Sequence, residues 1–277
     1  MFKGDQEMPR LRTVVLWLGL TVALPWPTQA QQADADEAAE LAKKLANPVA
    51  SLISVPFQYN YDANFGPKED GSKSLLNIQP VWPFSLGEDW NLITRTIVPV
   101  VSQTDLPPGS DASGIGDILQ SFFFSPKAPI GGWILAVGPV MLYPTASDHT
   151  LGGGKWGAGP TALALKQANG WTYGMLLNHV VSFAGDEGRA DLNSTFFQPI
   201  LTFITTTKTT LALNTESTYN WEAEQWAVPV NATVSQLLLV GGMPVSVGGG
   251  IRYWAEAPEF GPEGLGFRFV VTLLFPK

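Results

Sequence analysis

From Ala50 to Phe275 apolar and polar residues alternate with a period of two, segment after segment. That is the signature of half-buried β-strands. The last segment shows it most clearly. Read as a strand, Gly264 to Phe275 sends Leu265, Phe267, Phe269, Val271, Leu273 and Phe275 to one face. The other face receives Gly266, Arg268, Val270, Thr272 and Leu274. A soluble sandwich strand also has one apolar face, but this length matches the roughly 9–11 residues with which a tilted strand crosses a bilayer. Arg268, midway along the opposite face, then points into a lumen.

About twelve such strands are predicted, near residues 50–62, 73–85, 89–103, 113–125, 132–145, 155–167, 171–184, 190–206, 208–221, 225–240, 243–256 and 264–275. The connections carry a second signal. Those after odd-numbered strands are mostly long and polar, as in ANFGPKEDGS, TDLPPGSDA and ASDHTLGGG; those after even-numbered strands are short, as in LGED, ANG and GGM. Long outer loops alternating with short periplasmic turns characterise bacterial barrels. The connection around Glu222 to Gln225 is the short exception. Aromatics fall in two bands. Trp82, Phe84, Trp90, Trp133, Trp171, Tyr173 and Phe275 lie near the short-turn end, and Tyr59, Tyr61, Tyr143, Tyr219, Trp221, Trp226 and Tyr253 near the long-loop end. Amphipathic rings gather where a bilayer meets water. The predicted fold is therefore all-β, an antiparallel up-and-down transmembrane β-barrel of about 12 strands. Two strands fit poorly. The sixth, KWGAGPTALALKQ, has no clean polar face, and the seventh places His179 in phase with Met175 and Leu177.

Residues 34–46, DADEAAELAKKLA, predict a short N-terminal amphipathic helix with Asp34 or Asp36 as cap, Lys43 and Lys44 at its C-terminal end, and Pro48 following. It has two expected places, the periplasm or the barrel mouth. Before it, Arg10 and Arg12 precede the apolar run Val14 to Leu24, and Thr28-Gln29-Ala30 offers a small-residue cleavage site. The run is too short to span a bilayer of about 30 Å as a helix. The expected organisation is a cleaved signal peptide over 1–30, a helical segment over 31–48 and an outer-membrane barrel over 49–277.

Composition supports this reading. Charged residues are 14% of the chain and aromatics 11%, with 28 Gly and 22 Pro; soluble domains carry about 25% charge. There is no Cys and there are two His, so a disulfide framework is excluded, and neither a metal nor a cofactor is expected. The net charge is −8; without the leader, 13 positive residues face 22 negative ones, near −9. Such a balance argues against nucleic acid. The expected partners are outer-membrane lipid, the barrel-assembly machinery and a small-molecule solute, in the bacterial outer membrane.

Eight polar side chains are expected inside, within about two residues of one level: Gln58, Gln79, Arg95, Asp117, Glu216, Asn231, Arg252 and Arg268. They would form a belt, acting as a constriction that selects solutes by charge or as a salt-bridged filling of a narrow lumen. Glycine-rich motifs carry no nucleotide chemistry. Gly152-Gly153-Gly154-Lys155 is followed by Trp156, where a phosphate loop needs Ser or Thr. Gly114-Ile115-Gly116-Asp117 and Gly157-Ala158-Gly159 do not sit between a strand and a helix. Catalysis by a Ser nucleophile needs a His base within reach, but His179 and Ser182 are three apart on one strand and face opposite sides, and His149 lies in a loop. No enzyme is expected.

Several stretches together, LANPVASLISVPFQYNYD, GEDWNLITRTIVPV, SGIGDILQSFFFSPK, LGGGKWGAGPTA, LNTESTYNWEAEQWAVPVN and RYWAEAPEFGPEGLGFRFVVTLLFPK, resemble the outer-membrane transporters related to the phenol-degradation-pathway barrels of Gram-negative bacteria, often labelled "transporter" or "neuromedin U". The resemblance covers nearly all of the chain after the leader. It implies an outer-membrane barrel passing small organic or aromatic compounds, and it carries no catalytic or ligand residue. The chain departs from outer-membrane strands in ending Phe275-Pro276-Lys277 where a terminal aromatic is common. The leading functional expectation is a porin-like channel or transporter for small solutes. The alternatives are a closed structural or sensing barrel and an exported soluble β-sandwich binding protein.

Overall fold

The computed structural model describes residues 39–275; the predicted signal peptide and the chain's last two residues lie outside them. Fifteen β segments follow a short helix α1 over 39–45. They are β1 (Ile53–Phe65), β2 (Gly71–Ile78), β3 (Val81–Leu86), β4 (Trp90–Thr104), β5 (Ala112–Ile115), β6 (Ile118–Pro126), β7 (Trp133–Tyr143) and β8 (Lys155–Ala168). The series continues with β9 (Trp171–Gly185), β10 (Asn193–Ile204), β11 (Thr209–Thr215), β12 (Ser217–Asn220), β13 (Gln225–Val240), β14 (Met243–Glu256) and β15 (Gly264–Phe275). β2 with β3, β5 with β6 and β11 with β12 are single strands interrupted once, so the segments make a closed antiparallel barrel of 12 strands. β1 pairs with β15 and β9 with β10, which closes the ring and leaves no free edge.

Each interruption lies opposite a proline. Gln79 and Pro80 part β2 from β3, and Gln79 lies opposite Pro56, whose carbonyl accepts its N–H at 2.8 Å. Gly116 bonds to the Pro99 carbonyl at 2.9 Å, and Glu216 to that of Pro229 at 3.3 Å. A proline has no N–H to return, so the ladder lapses there. The tightest hairpins are equally local. Asn169 and Gly170 have φ of 51° and 81°, and Gly241 and Gly242 have 60° and 83°, as two-residue type I′ turns require.

The barrel turns its apolar face outward. Phe267 and Phe269 on β15, Ile251 on β14, Val234 on β13, Leu213 on β11 and Val137 on β7 are all exposed. Aromatic pairs band both ends. Trp133 meets Tyr173 with ring centroids 6.1 Å apart and Trp171 meets Phe203 at 4.8 Å at the turn end. Tyr143 meets Trp156 at 5.6 Å, and Tyr219 meets Trp221 and Trp226 at 4.8 and 5.0 Å, at the loop end. His179 does face outward. Its Nδ1 lies 2.9 Å from Thr195 Oγ1, which also accepts from Trp221 Nε1 at 2.9 Å. This satisfies a polar group that would otherwise be orphaned in an apolar surface.

Inside, the turn-end half is a hydrophobic core. Val81, Ile93, Phe123, Ala136, Leu163, Leu165 and Leu176 are buried together, with Val49 packed among them. That explains the sixth predicted strand: Leu163 and Leu165 of β8 face inward to this core, so no polar face is needed. Segment 39–52 occupies the mouth. Leu41, Ala50 and Leu52 cluster with Leu274 of β15, and Leu45 and Leu237 pack on them. Gln167 of β8 donates to the Lys43 carbonyl at 2.9 Å, and Asn91 of β4 to Ser51 Oγ at 2.9 Å. These contacts come from around the ring, so of the two expected places the segment takes the mouth.

In lipid vesicles, Phe269→Arg on the outer face should lower the unfolding free energy by about 2–4 kcal/mol, the usual cost of a cation at mid-bilayer. Urea titrations of the folded barrel read this directly; no loss would deny that this face meets lipid.

Candidate functional site

Above the apolar core the inward face becomes polar, and one charged network organises it. Arg268 of β15 forms a fork with Glu216, Nη1 to Oε1 at 3.0 Å and Nη2 to Oε2 at 2.6 Å, while its Nε donates to Asn60 Oδ1 at 2.8 Å. Arg252 of β14 donates from Nη1 to Glu216 Oε2 at 3.1 Å and to Asn231 Oδ1 at 3.2 Å. Its Nε lies 3.2 Å from Asp62 Oδ1 as an ion-pair contact without hydrogen-bond alignment. Trp254 donates to the same Asp62 oxygen at 2.8 Å and stacks under the Arg252 guanidinium at 4.8 Å. Asn231 in turn donates to Asn214 Oδ1 at 2.9 Å.

The geometry follows from strand register. Arg268 pairs with Asn60 across β15–β1 and with Gly250 across β14–β15. Arg252 faces Asn231 on one side and Gly266 on the other. A Cβ at Gly266 would stand 2.6 Å from Asp62 Oδ1, so only glycine lets that carboxylate reach across to Arg252. Glu216 sits at the interruption between β11 and β12 and spans the width of β13 and β14 to reach Arg268. Two guanidinium groups and two carboxylates thus neutralise each other, and both cations are almost wholly buried: Arg252 is 7% and Arg268 4% exposed. Buried pairs of this kind are costly to break singly.

The remaining polar residues border open space. A cavity of about 320 Å³ is lined by the polar groups of Gln58, Gln79, Arg95 and Glu216 together with apolar side chains such as Leu119, Leu142 and Phe196. Arg95 donates to Gln79 Oε1 at 2.6 Å and makes no ion pair among the described residues. Gln79 and Arg95 also line a second cavity of about 140 Å³, whose floor is Leu45, Pro48, Ala50 and Leu52. The Arg95–Gln79 pair is therefore a partition in the lumen, with the stopper segment directly beneath.

Of the eight residues expected in one belt, Glu216, Asn231, Arg252 and Arg268 meet in the ion network, and Gln58, Gln79 and Arg95 border the cavities with Glu216. Asp117 joins neither. Its carboxylate accepts from the backbone N–H of Ala146 at 3.1 Å and of Gly153 at 2.6 Å. It fastens the loop 144–154, which Arg189 also grips through the Gly152 carbonyl. The expectation that Asp117 stands in the lumenal belt is corrected: it lies where β5 gives way to β6, and the ladder lapse leaves loop amides for it to hold. Asp62, Asn60, Asn214 and Trp254 are additions. Asp62 and Asn60 were legible as the polar face of the first strand, but their partners on distant strands were not. No group of three or more metal-ligating side chains occurs among the described residues.

No family model matches the sequence, and no curated protein matches it. Solved structures do match in fold. An outer membrane channel from Pseudomonas putida F1 matches with a TM-score of 0.62 at 14% identity, covering 81% of this chain and 96% of that one. The NanC porin matches at 0.49 and 10%, covering 81% of this chain and 100% of that one. Outer membrane phospholipase A from Escherichia coli matches at 0.48 and 11%, covering 88% and 98%. At such identities the likeness is one of fold: this chain shares the barrel architecture of the Pseudomonas putida channel. The expectation that the chain is not an enzyme is corrected by the phospholipase, since an enzyme stands among the matching barrels and the absence of a Ser–His pair does not carry that conclusion.

Glu216→Ala should destabilise the barrel by about 3–5 kcal/mol, because it strands two buried cations. With Arg268→Ala in a double-mutant cycle, coupling of roughly 1–3 kcal/mol is expected from urea unfolding. Additive losses would mean that the fork contributes nothing as a pair.

Proposed function

We propose that the chain is an outer-membrane channel for small organic solutes, exported by its leader and closed at the turn end by residues 39–52. The observation that carries this reading is the run of space through the lumen. The larger cavity, the Arg95–Gln79 partition and the smaller cavity follow one another, and the path ends on a segment that belongs to no strand. A barrel built only as a scaffold has no need of a separable stopper over a polar cavity. The outward apolar band and aromatic girdles support the bilayer setting.

The cavity's mixed wall supports small organic solutes, aromatic ones among them, as the resemblance to phenol-degradation-pathway barrels implies. Amides and Arg95 share its lining with Leu119, Leu142 and Phe196. Passage is diffusive and uses no cofactor. Few polar bonds hold the stopper, but Leu41, Val49 and Leu52 are each buried, at about 1.5–3 kcal/mol per side chain. The closed form is therefore the resting one.

Planar-bilayer recordings test this. The full chain should show rare, brief openings, and a chain lacking residues 31–50 should conduct continuously. If neither form conducts while both migrate as heat-modifiable folded barrels, the channel reading falls and a closed structural or sensing barrel takes its place.

A further inference from the structure

We infer that the Arg95 cavity is a binding site for small amphipathic monocarboxylates, compounds with one carboxylate on a compact apolar or aromatic body. The first reason is charge. In the network, Arg252 and Arg268 are matched by Asp62 and Glu216, and both Glu216 oxygens are engaged. Arg95 is the cation left over, with the neutral Gln79 as its hydrogen-bond partner. Lys73 stands across from Asp62 on β1–β2 and adds a further positive charge toward the loop end. A guanidinium with free donors at a cavity wall suits a planar carboxylate, which accepts two parallel N–H bonds.

The second reason is the apolar part of the same lining. Ile97, two residues from Arg95 on β4, borders the cavity with Leu119, Leu142, Val180 and Phe196, among polar groups such as Asn178 and Thr218, and its volume is within the usual range for small-molecule sites. A fully hydrated inorganic anion would leave this surface wet and gain nothing from it. A carboxylate with a ring or short chain satisfies the polar and the apolar parts of this lining at once. The side-chain amides of Gln58 and Asn77 belong to the same lining and can donate to the carboxylate oxygen that Arg95 does not hold.

This binding rests on the lumen described above, and only its passage through the barrel rests on the channel reading. Titration calorimetry on the purified full chain in detergent, with benzoate, benzamide and acetate as probes, tests it. Benzoate should bind more tightly than benzamide by about 10–100-fold, the worth of a charge-assisted hydrogen bond, and more tightly than acetate by at least about tenfold from apolar burial. Arg95→Gln, whose side chain can still bond Gln79, should abolish the preference for benzoate over benzamide, and Leu119→Asn should weaken benzoate without changing acetate. Both variants must first migrate as heat-modifiable barrels; Arg95→Lys serves if Arg95→Gln does not, and should lower benzoate affinity while keeping the preference. Equal binding of benzoate and benzamide overturns the inference, as does equal binding of benzoate and acetate. Benzoate binding without conductance in the chain lacking 31–50 would sink the channel reading and leave this site standing; conductance without benzoate binding would do the reverse.

Discussion

Closure of the hydrogen-bonded ring is the constraint on which everything else depends. With β1 joined to β15 and β9 to β10, every strand residue faces either outside or the lumen, because successive side chains alternate. The chain must therefore write two surfaces in one sequence. The outer one is apolar along β15, β14 and β13, with aromatics at its margins. The inner one is free to vary along the barrel axis, and it does.

That inner surface is divided into zones. At the turn end it is an ordinary hydrophobic core, centred on Ile93, Phe123 and Leu165, none of them exposed, and sealed by α1 and the residues after it. At mid-height it is a neutral ion network on one side and a cavity on the other. The two depend on each other. Glu216, gripping Arg268 and Arg252, fills the lumen beside β13 to β15 and leaves open space bordered by β1, β2, β4, β6, β7, β9, β10 and β12. Arg95 faces that space because its own strand neighbours, Val81 and Ser121, offer it no carboxylate. A place in the ion network for one pair of arginines and a cavity-facing place for the third thus follow from where the acids happen to lie.

Much of this was legible in the sequence, and the failures have physical causes. Strand number, the direction of the faces and the two aromatic bands were readable because each is local, set by period-two alternation and turn residues. The interruptions lie opposite Pro56, Pro99 and Pro229, but Pro139, Pro160 and Pro199 sit in unbroken strands, so prolines alone did not mark them in the sequence. The belt was only half readable. Counting residues from the turn end puts Asp117 level with Arg95, but register shear and the lapse beside Pro99 carry it to the loop. Glu216 was placed inward correctly, yet its reach across two strands to Arg268 depends on the curvature of the ring. The apolar floor was hidden for another reason: the poor alternation of the sixth strand is a strand facing lipid and core at once. The likeness to known channels adds the architecture and leaves the chemistry of the lumen to these residues.

The central claim is that a path exists and that residues 39–52 stop it. The chain has no native cysteine, so a single introduced thiol reports on the lumen without background. Ser54 lines the small cavity beneath Arg95 and above the stopper. The labelling rate of Ser54→Cys by a small charged methanethiosulfonate is the most direct measurement. The account predicts slow labelling in the full chain and fast labelling once residues 31–50 are deleted; equal rates in the two would contradict it.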